Sequence, residues 1–269
     1  MSTVRRGYAD TPFGQLHYAE AGTGPALLLL HQTPRSHDEF REVQPLLADR
    51  RRVLAMDMLG FGLSAALPAP QTVERFAAGA FALLDALGVH EAAVLGHHTG
   101  AAVALEMAAQ AADRVPALVL SSPPWTGPEY RASHADGPAV DRADRVDDGG
   151  HLTAWWGLRR PYYPAGRPDL LDRFVRDALA PGVDPAEGHR ACARYVMEDR
   201  VPAVTAAVLL IGAAADPFAM PNVAVLRQRL TNARSVDVRV VEGGMIPLME
   251  QAPQQVADLV GRFLRGLPR

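Results

Sequence analysis

Ala92-Ala93-Val94-Leu95-Gly96-His97-His98-Thr99-Gly100-Ala101-Ala102 is the stretch on which the fold turns. Ala92 to Leu95 is an apolar run that reads as a buried strand, and Ala101 to Ala111 reads as a helix. Gly96 and Gly100 bound the break between them, which suits a tight turn where neighbouring backbones approach closely. At the centre of that turn stands His98, a titratable imidazole where strand gives way to helix.

On the N-terminal side, residues 5–10 and 15–20 flank Thr11-Pro12-Phe13-Gly14 and predict a β-hairpin. Ala26 to Leu30 is a continuous apolar run that predicts a buried parallel strand, ending in His31-Gln32-Thr33-Pro34. Residues 38–48 predict a helix with Phe40, Val43, Leu46 and Leu47 at helical spacing. Residues 52–56 predict a strand that runs into Asp57-x-x-Gly60-x-Gly62-x-Ser64. Thr72 is an N-cap candidate for a helix that Gly88 ends. On the C-terminal side, strands are predicted at 117–120, 207–211 and 236–241, and helices at 223–230 and 253–264. Composition changes between 126 and 200, which is rich in Pro, Gly, Asp and Arg and carries aromatics. Short helices are expected there at 170–179 and 188–196. The predicted organisation is a core of residues 1–125 and 201–269 with a cap of residues 126–200 inserted over the sheet.

The chain has 269 residues, 48% of them hydrophobic, enough for one α/β domain with an insertion. The net charge of −3 offers no basic patch for nucleic acid or an anionic membrane. All 27 basic residues are arginine, which excludes a lysine Schiff base and a P-loop lysine. A composition rich in Ala, Arg, Pro and Gly suits a high-GC bacterial genome. The single cysteine, Cys192, reads as a buried structural thiol. No apolar segment near the N-terminus is long enough for a signal or a membrane span, so a cytoplasmic protein is expected.

Four landmarks, each at a predicted strand end, now carry a resemblance. They are His31-Gln32, Asp57 to Ser64, Gly96 to Gly100, and Glu242-Gly243-Gly244-x-x-Pro247. In this order they make the chain similar to α/β-hydrolase-fold proteins over nearly its whole length. The resemblance implies a mostly parallel sheet flanked by helices, with the site at the carboxyl ends of the strands. It also implies a trio of elbow nucleophile, acid and histidine. Carried over by position, the nucleophile falls on His98, the acid on Asp216 and the histidine on Met245. Two of the three depart from the pattern, so Ser-His-Asp hydrolysis does not carry over. The implied oxyanion hole uses the backbone amides of Gln32 and Thr99.

The residues that survive predict acid–base chemistry. His98, oriented by Asp216, is the candidate general base on a carbonyl compound, for C–C bond formation or cleavage, elimination, cyclisation or isomerisation. Hydrolysis of an ester or lactone, by His98-activated water or a His98 nucleophile, is an alternative. So is a non-catalytic small-ligand binder. Ser64, Ser121 and Ser122 are the candidate replacement nucleophiles for a serine mechanism. The expected pocket lining is His31, His97, Trp125, Trp155, Trp156, Phe218 and Met245, which suggests an apolar or aromatic substrate. Arg159 and Arg160 either meet a substrate carboxylate or are solvated surface. His31, His97, His98 and Asp216 lack a metal-ligand spacing, and no G-x-G-x-x-G follows a strand. No metal and no cofactor are therefore expected. The expected partner is a small-molecule substrate, and the expected state is monomer or homodimer.

Overall fold

The computed structural model describes residues 3–66, 68–134 and 144–267; residues 135–143 of the expected cap lie outside the described residues. Eight strands form one sheet: β1 (Arg5–Thr11), β2 (Gly14–Ala21), β3 (Ala26–Leu30), β4 (Arg52–Met56), β5 (Ala93–His97), β6 (Ala117–Ser121), β7 (Ala207–Ala213) and β8 (Ser235–Val241). The spatial order is β1-β2-β4-β3-β5-β6-β7-β8. The β1–β2 hairpin pairs antiparallel, and β2 joins β4 antiparallel; every pairing from β4 to β8 is parallel. This is the α/β-hydrolase fold.

The inner parallel strands are buried on both faces, so their sequences are apolar without alternation, whereas the edge strand β8 alternates and is largely exposed. The alternation survives in which layer each side chain enters. Leu27, Leu29, Val53 and Ala55 pack into one core layer, with α1 (Val43–Leu47) and α11 (Pro253–Gly266). Leu28, Leu30, Leu54 and Met56 pack into the other, with α2 (Val73–Ala86) and α3 (Thr99–Gln110). Each fully buried Leu contributes roughly 1.5–3 kcal/mol of transfer free energy. Helix α2 starts where Thr72 accepts the Arg75 amide.

The predicted helix over 38–48 is two pieces, a 3₁₀ turn at His37–Phe40 and then α1. Pro45 lacks the N–H that would bond back to residue 41, so the helix restarts with Pro45 in its first turn. Between β6 and β7 lie α4 (Pro128–His134), α5 (Gly150–Arg159), α6 (Pro168–Ala178), α7 (Glu187–Arg194) and α8 (Met197–Arg200). Two further helices, α9 (Met220–Arg229) and α10 (Leu248–Gln251), follow β7 and β8. Among the described residues, no helix is long and apolar enough to cross a membrane.

A buried ion cluster ties the helical insertion to the sheet. Arg35, fully buried after β3, donates Nε–H to Asp177 of α6 at 2.9 Å. Its other two nitrogens donate to the two carboxylate oxygens of Glu250 in α10, at 2.7 and 3.0 Å. Arg173 of α6 reaches Asp38 and Glu42.

Candidate active site

Strand β5 ends at His97 and helix α3 begins at Thr99, so His98 alone makes the turn. Its backbone sits at φ 46°, ψ −115°, a conformation that L residues rarely adopt. The turn is held from both sides: the His98 amide donates to Ser121 of β6, and the Ala101 amide donates to the His98 carbonyl. A Cβ at Gly96 would run into the Gly100 carbonyl, and one at Gly100 would run into the Leu30 carbonyl. No residue but glycine fits at either end.

The His98 ring points into a cavity of about 250 Å³ at the carboxyl ends of β3 and β5. Gln32, Thr33, His98 and Thr99 line it from the sheet side. Tyr130, His134, Arg159, His189 and Cys192 line it from the helical insertion. Pro124, Phe218, Ala219, Asn222 and Ile246 complete the walls.

His98 Nε2 lies 2.9 Å from Asp216 Oδ2. The separation is that of a hydrogen bond but the angles are not, and among the described residues neither atom has another hydrogen-bond partner. The contact is therefore chiefly electrostatic. Asp216 follows β7 and is fully buried, and its Oδ1 accepts the amides of Phe218 and Ala219 at 3.0 and 3.2 Å. Those bonds fix the carboxylate and leave Oδ2 toward the ring. Burial pushes the Asp216 carboxyl up, but His98 and the two amides outweigh it and hold the group below its ordinary value.

The remaining expected site residues divide. Gln32, Thr99 and Phe218 border the cavity. The Gln32 amide, however, donates to Glu39 Oε2 at 2.8 Å, so it is not available to an oxyanion. The next residue, Thr33, has no partner on its amide among the described residues. Its Oγ1 lies 2.9 Å from that of Thr99.

Six expected lining residues do not border this cavity. His31 is buried behind its loop, with Nδ1 on the Gln32 carbonyl and Nε2 accepting the Met58 amide. Burial lowers it to about 4, so the ring is neutral, as an acceptor must be. His97 alternates to the opposite face of β5 from the cavity, bonding Ser121 Oγ and the Ile246 carbonyl; burial and the neighbouring His98 lower it to about 3. Trp155 fills the insertion's own core with Tyr163 and Phe174, and Trp156 packs against that core. Trp125 packs against the sheet's core under the Arg229 guanidinium. Met245 donates its amide to Gln251, and its neighbour Ile246 takes the wall position. The serine alternative fails on placement. Ser121 and Ser122 are fully buried, Ser64 braces Asp57, and none of the three borders the cavity.

Thr33, Tyr130, His134, His189 and Asn222 were not singled out by the sequence. Cys192 borders the cavity as an inert thiol, pushed up to about 12 by burial. Away from the cavity, His17, His37 and Asp57 gather with potential ligand atoms within 4.8 Å of one another. Both Asp57 oxygens already accept bonds there, from the two rings and from the amides of His37 and Leu63. The group reads as a brace for the β4 loop. Gly62 belongs to it, because a Cβ at that position would strike the Asp57 carboxylate.

Residues 25–238 match the family model described as alpha/beta hydrolase fold. Haloalkane dehalogenase 2 of Mycobacterium bovis is 33% identical over 114 residues, 42% of this chain and 40% of that one. Bifunctional epoxide hydrolase 2 of Mus musculus is 35% identical over 130 residues, 47% of this chain and 24% of that one. The chain thus matches less than half the length of these relatives. Among solved structures, an epoxide hydrolase from an endophytic Streptomyces superposes with a TM-score of 0.80 at 24% identity, covering 98% of this chain and 96% of that one. With strand order, turn and landmarks in agreement, this chain belongs to the alpha/beta hydrolase fold family.

Proposed function

We propose that this chain is an enzyme that moves protons on a carbonyl-containing, apolar or aromatic metabolite, with His98 as general acid and base. The observation that carries the reading is the 2.9 Å approach of His98 Nε2 to a fixed, ionised Asp216, on a ring that lines a cavity. With Nε2 turned to the carboxylate, Nδ1 is the nitrogen left to meet a ligand. Such a base contributes about 10²–10⁴-fold to proton abstraction. The enolate that forms needs donors, and the amides of Thr33 and Thr99 are the pair for it. Thr99 opens α3, where a first-turn amide has no partner within the helix. Each such donor is worth about 2.7–4 kcal/mol to an oxyanion. The reaction is then C–C bond formation or cleavage, cyclisation, elimination or isomerisation.

Hydrolysis of an ester or lactone is the second reading, and the epoxide hydrolase named among the relatives supports a hydrolytic reaction. There His98 takes a proton from water, which adds to the acyl carbon and expels the alcohol.

One experiment tests both. A panel of aryl ketones, keto acids and lactones is followed by proton NMR in D₂O, with parallel runs in ¹⁸O-water. The first reading expects deuterium at the carbon beside a carbonyl, slowed about 10²–10⁴-fold in a folded His98→Ala variant. Oxygen-18 in the product without such exchange selects hydrolysis. Exchange or turnover unchanged in His98→Ala overturns both.

A further inference from the structure

We propose that two copies of this chain join through β8, the strands pairing antiparallel about a two-fold axis at Val238, so that the two eight-stranded sheets run on as one. Strand β8 ends the sheet beside β7, and among the described residues no strand pairs with its outer side. It reads Ser235-Val236-Asp237-Val238-Arg239-Val240-Val241 and holds an unbroken register with β7, without proline or bulge. Such an edge is a template for another strand, and proline, bulges and repelling charges are the usual defences against it.

The charges on β8 invite a copy rather than repel one. The Val241 carbonyl accepts the Ala214 amide at the end of the β7 ladder. Main-chain groups alternate in direction along a strand, so Val236, Val238 and Val240 turn theirs to the open side. The Val238 carbonyl has no strand to meet there, and the Arg239 guanidinium donates to it at 2.7 Å. With the axis at Val238, that residue faces itself, Val236 faces Val240, and Asp237 faces Arg239 of the second copy. The charged residues then form a non-hydrogen-bonded pair, where side chains approach most closely, and symmetry makes the pair twice. An axis at Asp237 or at Arg239 would set like charges opposite each other, which is destabilising. Opposite charges two residues apart therefore select one register. In it the Val238 carbonyl accepts the amide of its own copy, and the Arg239 guanidinium turns to Asp237 of the second copy. Asp237 and Arg239 lie on the α11 face, beside Leu259 and Phe263. Val238 and Val240 lie on the other, where they line an apolar groove with Met220 and Val223 of α9, and Val240 is 38% exposed. The valine pairs across the axis carry apolar surface over that groove.

The test is sedimentation velocity of the whole protein and three variants over a range of concentrations. The unchanged protein is expected to sediment as a dimer. Arg239→Asp sets Asp opposite Asp, and Asp237→Arg sets Arg opposite Arg, twice over by symmetry. Each is expected to raise the dimer dissociation constant about tenfold or more. The double variant restores opposite charges and should return the constant to within about threefold of the original. Both residues are exposed, so the fold should survive, and circular dichroism checks it. Amide exchange of the unchanged protein gives a second measure, with Val238 protected in the dimer and exposed on dilution. A monomer at every concentration up to about 100 μM would overturn the proposal. So would a dimer that both single variants leave intact, a double variant as dissociated as the singles, or a Val238 amide that exchanges freely in the dimer.

Discussion

Glu39 holds Gln32 twice, accepting its backbone amide at 2.8 Å and its side-chain amide at 2.6 Å. Both residues are buried, and the carboxyl of Glu39 lies against the underside of the cavity floor. Burial raises Glu39 to about 8, with Glu250 adding to the shift and Arg35 and the Gln32 bonds opposing it.

That shift has a sign that stability must follow. The folded state holds a proton on Glu39 that the unfolded chain releases at its ordinary value of 4.5. The stabilisation is full below that value and is lost as pH rises toward about 8. Glu39→Gln should flatten the decline of unfolding free energy across this window. Urea denaturation of both proteins at several pH values in the window checks it, and parallel profiles would refute the assignment.

The backbone at His98 is strained, and the strain belongs to any residue with a Cβ. His98→Gly should therefore be more stable than His98→Ala by about 1–2 kcal/mol, the reverse of the usual order within regular structure. Chemical denaturation followed by circular dichroism decides it.

Glycine positions differ in what they tolerate. Gly96→Ala forces a methyl group into the Gly100 carbonyl and should destabilise by about 3 kcal/mol or more. Gly157 lies in α5 with open space where a Cβ would be, so Gly157→Ala should stabilise by roughly 0.5–1 kcal/mol. Thermal melts of the pair would show opposite shifts.

Arg35 pairs with Glu250 and Asp177, and all three residues are buried. Arg35→Ala removes both bonds to Glu250 and one to Asp177, leaving Glu250 only Arg173 at 3.1 Å and Asp177 its Arg176 and Ser36 partners, and should destabilise by about 3 kcal/mol. Arg35→Met combined with Glu250→Leu and Asp177→Leu should recover most of that loss. The measurement is equilibrium unfolding of the single and triple variants.

The sheet was legible because a parallel strand announces itself: the apolar run Ala26–Leu30 forms as read, and the run read over 117–120 forms as Ala117–Ser121. The approach of His98 to Asp216 was legible because each follows a strand end that order alone identifies. The helices α4 and α5 were not, because their apolar faces are too small to set a period. No α4 residue is buried, and in α5 only Trp155 is. The same shortage hid which side chains of the insertion look inward. Trp155 and Arg159 are one turn apart on α5, yet one fills a core and the other borders the cavity. The choice between the Gln32 and Thr33 amides was beyond local pattern. It is decided by Glu39, seven residues on, folding back beneath the loop.

The bond from Arg35 to Glu250 joins positions 215 apart in the chain. During synthesis, the loop that carries Gln32 and Thr33 emerges early and waits. Of the counter-charges on Arg35, Asp177 arrives with α6 and Glu250 only with α10. A nascent chain halted before α10 thus holds all eight strands of the sheet but lacks the Glu250 carboxylate that meets Arg35. Translation delivers the Gln32–Thr33 loop well before the carboxylate that anchors its neighbour Arg35.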